Sequence, residues 1–393
     1  MTTTTQTQLP SPTQMGFTLF VGAIAVLILG LQPVVLGGLA AEHRLATDQI
    51  GVAATVELVA MGAASSIAAA VFKPTGLRMK GILACLCHGI ANLATLAASG
   101  TAVIVARGAA GACAGVMLWL AIAAIATSNR PDRIASIFAT TQTLAQLAAA
   151  SLISALITPR YGANGALVCL AVISWLTALC CLGTPDRLTQ PPPTHEAASP
   201  INLAAGAGLL AVFFYLAGVV SVWVYMEPLG KACGLTAQDL ALIVPLTLGC
   251  QAIGATVATV IGRRLSVYPT LIAVTLALAA LIVGLGHTSS HAVFIVSSAA
   301  YGFVWLFAFP LQTQMVIDLD PSRRAAMQLG AAQLLGSSAG PLVAALVVGD
   351  GDARHAITLA VGFLALSLGL VVILALRRNT HSPLIPKINS QPR

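Results

Sequence analysis

Twelve long apolar stretches run through the 393 residues, and residues 45 to 183 echo residues 235 to 373 at a constant offset of about 190. The register is visible residue by residue. Leu45 to Gly51 falls on Leu235 to Ala241, Ala102-Val103 on Ala292-Val293, and Lys73 on Arg263. Asn129 to Ala135 falls on Leu319 to Ala325, keeping the proline (Pro131, Pro321) and a following arginine (Arg133, Arg323), with no gap. A chain duplicated in this way is expected to fold as two matched halves.

The solvent of those halves follows from composition. Hydrophobic residues make up 58% of the chain and charged residues 8%, whereas soluble domains carry roughly 25% charged residues. Crossing the hydrocarbon core takes about 20 apolar residues. Candidates lie at 16–41, 49–71, 81–100, 101–127, 134–157 and 163–183, then at 201–226, 237–261, 268–286, 290–317, 324–348 and 354–376. Inside lipid the backbone satisfies its own hydrogen bonds only as a helix or a closed barrel, and a barrel would alternate in polarity over segments of about 10 residues. These runs do not alternate, so the expected class is an all-α integral membrane protein with twelve spans.

The basic residues set an orientation. Arg44, Arg160, Lys231 and Arg354 fall in loops on one side and Arg107 lies inside the fourth span, while the other lysines and arginines collect on the opposite side. The positive-inside rule makes that richer side cytoplasmic, with both termini, in a bacterial inner membrane. The net charge of +7 is then an orientation signal, and no nucleic-acid partner is expected. Residues 1–15 form a cytoplasmic tail without the basic n-region of a cleaved signal peptide, so the first span is expected to stay. A bundle over 16–183, a polar linker over 184–200, a second bundle over 201–376 and a tail over 377–393 complete the layout, and the expected unit is a monomer.

Enzymatic motifs are missing: the sequence has no phosphate-binding loop, no paired carboxylates and no catalytic triad pattern. No cofactor or metal is expected. Cys85, Cys87 and His88 come closest to a metal set, yet only Cys85 and His88 share a helical face and no carboxylate lies near.

Two local motifs and the topology carry a resemblance. Arg107-Gly108-Ala109-Ala110-Gly111 and Gly336-Ser337-Ser338-Ala339-Gly340-Pro341 resemble signatures of the major facilitator superfamily, and the likeness covers residues 16 to 376. The glycine-proline signature sits in the eleventh span, whereas drug exporters of that family carry it in the fifth, which here reads Gln142-Thr143-Leu144-Ala145-Gln146. Of the family's loop motif between spans two and three, only Gly76 and Arg78 remain, with Lys73 in place of the aspartate. The resemblance implies two six-helix bundles around a cavity lined by spans 1, 4, 7 and 10, with alternating access.

Glu57 and Arg107 are the ionisable residues lying well inside spans. A charge at the centre of a span costs about 2.5–3.5 kcal/mol on insertion scales, which marks it as functional. Their similar depth permits a pair facing a shared solvated vestibule. In it, Glu57 would load and release a proton, and Arg107 would tune it or hold the carboxylate of a substrate; the competing reading is a structural ion pair. The repeat leaves Thr247 and Ser297 at the equivalent positions, so charge chemistry belongs to the first half. Tyr301, Trp305 and Phe309 share one face of the tenth span and offer stacking to a flat substrate, or else packing. Gln32, beside Pro33, is the preferred polar lining residue. Tyr215 and Ser221 are further candidates, and Tyr225 reads as an interface anchor. Gln142, Gln146, Gln312 and Gln314 read mainly as glue between helices.

The expected function is proton-coupled secondary transport of a small organic solute, anionic or aromatic, by alternating access. Proton-driven efflux of hydrophobic drugs and a non-transporting membrane sensor are the alternatives.

Overall fold

The computed structural model describes residues 10–188, 202–320, 324–349 and 352–381. The linker residues 189–200 and the outermost tails of the expected layout lie outside the described residues, as does the side chain of Arg263.

The duplication reappears in helix boundaries. Helices α1 (Pro12–Ala25) and α2 (Leu27–Ala41) are followed by α3 (Thr47–Val71), α4 (Leu77–Ala94), α5 (Thr101–Ala126), α6 (Pro131–Leu152) and α7 (Thr158–Cys180). Then come α8 (Leu203–Val224), α9 (Met226–Ala232), α10 (Ala237–Ile261), α11 (Val267–His287), α12 (His291–Leu319), α13 (Arg324–Met327), α14 (Leu329–Val348) and α15 (His355–His381). The starts of α10, α11 and α12 each lie 190 positions after those of α3, α4 and α5, as Ala237 follows Thr47.

Eleven of the described helical stretches are long and apolar enough to cross a membrane. One of these, Arg133–Gly183, is 51 residues long, or about 77 Å as a straight helix at 1.5 Å per residue, far beyond the roughly 30 Å of hydrocarbon. It does not run straight. A π-helical turn, Ile153–Ile157, follows α6, and Gly162 at φ 60° and ψ −155° breaks α7, a backbone conformation that glycine adopts without a steric penalty. Glu42 secures the break by accepting the Ala163 N–H at 2.7 Å.

Several expected boundaries move. The first helix starts at Pro12, inside the expected tail, because Ser11 and Gln14 cap it reciprocally. The first span is interrupted at Val26, whose carbonyl accepts the Gln146 side-chain N–H at 2.9 Å. Helix α15 continues to His381, past the expected end of the second bundle. The start of the expected linker is docked: Leu188 N–H donates to the Pro74 carbonyl at 3.0 Å and Leu77 N–H to Asp186 at 3.1 Å. Lys80, which donates to the carbonyls of Lys73 and Thr75, lies over Phe72 and Trp119. Backbone pairing and this cationic seat therefore hold the loop between α3 and α4.

Glycine faces explain the tightest helix pairs, since a missing Cβ lets backbones touch where lipid gives no hydrophobic drive. Gly111 and Gly115 of α5 lie on the carbonyls of Glu57 and Met61 in α3, and in the second half Gly302 of α12 lies on the Thr247 carbonyl in α10. Gly336 and Gly340 of α14 sit on the carbonyls of Phe213 and Ala217 in α8, the close helix contact their spacing predicts.

Candidate functional site

Two polar constellations lie in the apolar interior. The first is confined to the N-terminal half. Arg107 Nη1 approaches Glu57 Oε1 at 3.2 Å, with both side chains 1% exposed. Arg107 Nη2 donates to Asn92 Oδ1 at 2.7 Å, and Asn92 Nδ2 donates to the His88 carbonyl at 2.9 Å. Ser174 Oγ spends its proton on the Leu170 carbonyl at 2.7 Å. It must therefore accept from His88 Nδ1, 2.7 Å away. That fixes the neutral tautomer with the proton on Nδ1, leaving Nε2 as an acceptor toward Asn92 Nδ2 at 3.5 Å. Donation runs in one direction, from the guanidinium through Asn92 and His88 to Ser174.

Glu57 and Arg107 thus meet, a pairing that their similar depth permits. The solvated vestibule expected beside them is not there in this conformation, because the pair is packed between α3 and α5. Glu57 Oε2 and Arg107 Nε have no hydrogen-bond partner among the described residues. At the equivalent place in the second half, Thr247 Oγ1 donates to the Ser298 carbonyl at 3.2 Å, so a neutral bond replaces the charged one. Asn92, which links the pair to α4, was not singled out in the sequence; only its place one turn from His88 hinted at it. The nearest metal candidate dissolves, since His88 is committed to Ser174 and Cys85 to Cys181 at 3.8 Å.

The second constellation lies between the halves. The Trp223 indole N–H donates to the Leu29 carbonyl at 2.8 Å. Trp223 also meets Trp305 edge-on with centroids 5.9 Å apart, and Trp305 meets Tyr301 at 5.8 Å. Tyr301 is fully buried and its hydroxyl donates to the Val219 carbonyl at 2.8 Å. The Tyr215 hydroxyl reaches the carbonyls of Val304 and Trp305 at 3.4 and 3.3 Å. Ser221 donates to Gly218 of its own helix. These three polar groups are thereby engaged by the protein itself. The Trp305 indole N–H and both amide atoms of Gln32 are buried and without a partner among the described residues. Gln32 lies one turn along α2 from the carbonyl that Trp223 occupies, and so on the same side of that helix.

Other sequence expectations sort out around this seam. Tyr225 is fully buried rather than an interface anchor, with Asp48 and Gly51 of α3 beside its hydroxyl. Gln146 is helix glue, as expected; buried Gln312 leaves its Oε1 without a partner among the described residues, and Gln314 is exposed. The halves touch near the loops carrying Arg44 and Lys231: Gly51 of α3 lies on the Pro341 carbonyl of α14, and Thr55 Oγ1 donates to the Ser338 carbonyl at 2.8 Å.

A membrane-embedded, internally duplicated helical fold with a polar seam between its halves is the architecture of a solute transporter. The Major Facilitator Superfamily profile matches residues 18–345, and the chain belongs to that family. Its structure is similar to crystal structures of the nucleoside transporter NupG. A mutant form aligns with a TM-score of 0.71 at 12% identity, over 92% of this chain and 99% of that one. A second NupG structure aligns at 0.68 and 13% identity, over 93% and 99%. At such identity the likeness speaks for the fold alone. No curated protein matches the sequence.

Proposed function

We propose that this protein is a proton-coupled secondary transporter of a small, neutral, flat aromatic solute in a bacterial inner membrane. Twelve crossings in two six-helix bundles, with Gly162 marking the turn between the fifth and sixth, put both termini on the basic, cytoplasmic side. The contacts of Gly51 with Pro341 and of Thr55 with Ser338 then close the outer end, and the conformation is inward-facing.

The observation that carries the substrate class is the set of unpaired buried groups at the seam: the Gln32 amide and the Trp305 indole N–H. A buried polar group without a partner costs about 1–3 kcal/mol, a cost that a bound solute removes. An amide supplies one donor and one acceptor in a plane, suited to a ring edge that carries both, and Trp305 offers a face to stack on. Of the two substrate classes open from the sequence, the anionic one loses its support, since Arg107 is already held by Glu57 and Asn92. Nucleosides, which NupG is named for, have the required ring chemistry. Glu57, the acid deepest in a span and with Oε2 unpaired, is the proposed proton carrier, becoming accessible when the bundles rock.

The test is uptake into proteoliposomes under an imposed proton gradient, with labelled nucleosides, nucleobases and aromatic carboxylates compared. Uptake of a neutral ring compound, lost in Trp305→Ala and weakened in Gln32→Ala, is the expected result. Preference for a carboxylate, abolished by Arg107→Lys, would overturn the substrate class; gradient-independent uptake unchanged in Glu57→Gln would remove the coupling role.

A further inference from the structure

We infer that the closed end of the seam holds a second site, distinct from the solute site, for a single-ring neutral amphiphile that locks the transporter in this conformation. A half-enclosed cavity of about 170 Å³ lies where α2, the π-helical turn, α9 and α10 converge. Its walls come from both halves: Val34, Ser154 and Thr158 from the first, and Met226, Glu227 and Val244 from the second.

Three observations define the occupant. Size is the first, since an engineered apolar cavity of about 150 Å³ accepts benzene. The lining is largely aliphatic, and its two charges cancel, because Lys231 Nζ pairs with Glu227 Oε1 at 2.8 Å. A neutral ring is therefore favoured over an ion. Third, Ser154 Oγ and Thr158 Oγ1 are buried without a partner among the described residues, and Ser154 is 2% exposed. The π-helical turn that displaces them from ordinary helical register is a device often found at functional sites. A hydroxyl or ring N–H on the ligand would satisfy them.

The consequence for transport follows from where the walls belong. Opening of the outer end separates α2 and the π-turn from α9 and α10, so the cavity exists only while that end is closed. A ligand that binds one state alone shifts the population toward it. An amphiphile here is thus an inhibitor that does not compete with the solute.

Phenol is the probe, added to the purified full-length protein in nanodiscs and followed by amide hydrogen exchange and by thermal midpoint. The expected result is slowed exchange on both walls, around Ser154 and around Met226, and also around Gly51 to Thr55, which the cavity does not touch. The midpoint should rise with phenol concentration. Ser154→Ala should weaken phenol about fivefold, the size of one lost hydrogen bond. Ala241→Phe, or Val34→Phe should the first fail to fold, fills the cavity and should erase the response. A response that survives filling, or protection restricted to one wall, would overturn the inference. None of these readouts needs the transported solute, so failure here is separable from failure of the proposed function.

Discussion

The indole N–H of Trp223 in the second half donates to the carbonyl of Leu29 in the first, at 2.8 Å, and Pro33 is the reason that carbonyl is free. Proline lacks the N–H that would have bonded four residues back, so a helix defect in α2 becomes an acceptor aimed across the seam. The bond thus joins the two halves directly across the seam.

Trp223→Phe should therefore leave a buried acceptor empty at a cost of about 1–3 kcal/mol, seen as a lower thermal midpoint and faster amide exchange around Leu29. Adding Pro33→Ala should recover part of that loss, because residue 33 regains the N–H for Leu29. No rescue in the double variant would mean that the bond does not hold the seam.

The buried ion pair predicts unequal damage. Arg107→Met strands a carboxylate between α3 and α5 and should cost about 3–5 kcal/mol, whereas the double variant with Glu57→Gln leaves no buried charge and should cost markedly less. Thermal midpoints of the three proteins in detergent give the comparison. If the double variant is as damaged as the single one, the pair is not the element joining those helices.

Two glycines against carbonyls should fail differently. A Cβ at Gly111 collides with the Glu57 backbone within one half, and a Cβ at Gly51 collides with the Pro341 carbonyl across the seam. Gly111→Ala should reduce the yield of folded protein. Gly51→Ala should fold normally and favour the conformation in which the seam is open, read as faster exchange around Thr55 and Ser338. Equal effects of the two changes would refute the assignment of Gly51 to a contact that forms and breaks.

Acidification should strengthen the closed end. Burial raises the pKa of Glu227, with Lys231 partly opposing. A carboxyl whose pKa is raised in the closed state binds its proton more tightly there than when exposed. The closed state therefore gains as pH falls toward the ordinary value of 4.5 and loses as pH rises past the raised one. Amide exchange around Met226 should slow between neutral pH and about pH 5, after correction for intrinsic exchange, and Glu227→Gln should flatten that dependence.

Much of this was legible beforehand because lipid is a severe solvent. The 190-residue offset, the helical class and the need of Glu57 and Arg107 for partners follow from apolar run length, repeat register and the cost of a lone charge in hydrocarbon, all of which act along the chain. The glycine spacing of Gly336 and Gly340 foretold a close contact for the same reason. Where the expectation failed, the deciding partner was distant in sequence. The Glu57–Arg107 pair was sealed by the packing of α3 on α5, and Tyr225 was buried beside Asp48 and Gly51 of α3, in the other half.

Linear sequence alone settled family, helical content and the places where polarity had to be explained, since each is a property of single segments in an apolar medium. Tertiary structure decided which polar groups are spent and which remain open. Tyr301 and Tyr215 are bonded to backbone, Trp223 fills the acceptor that Pro33 frees, and Gln32 and Trp305 keep unpaired atoms. Hydrogen-bond satisfaction depends on which helices the fold brings within 3 Å or so of one another, and no periodicity along one helix encodes that.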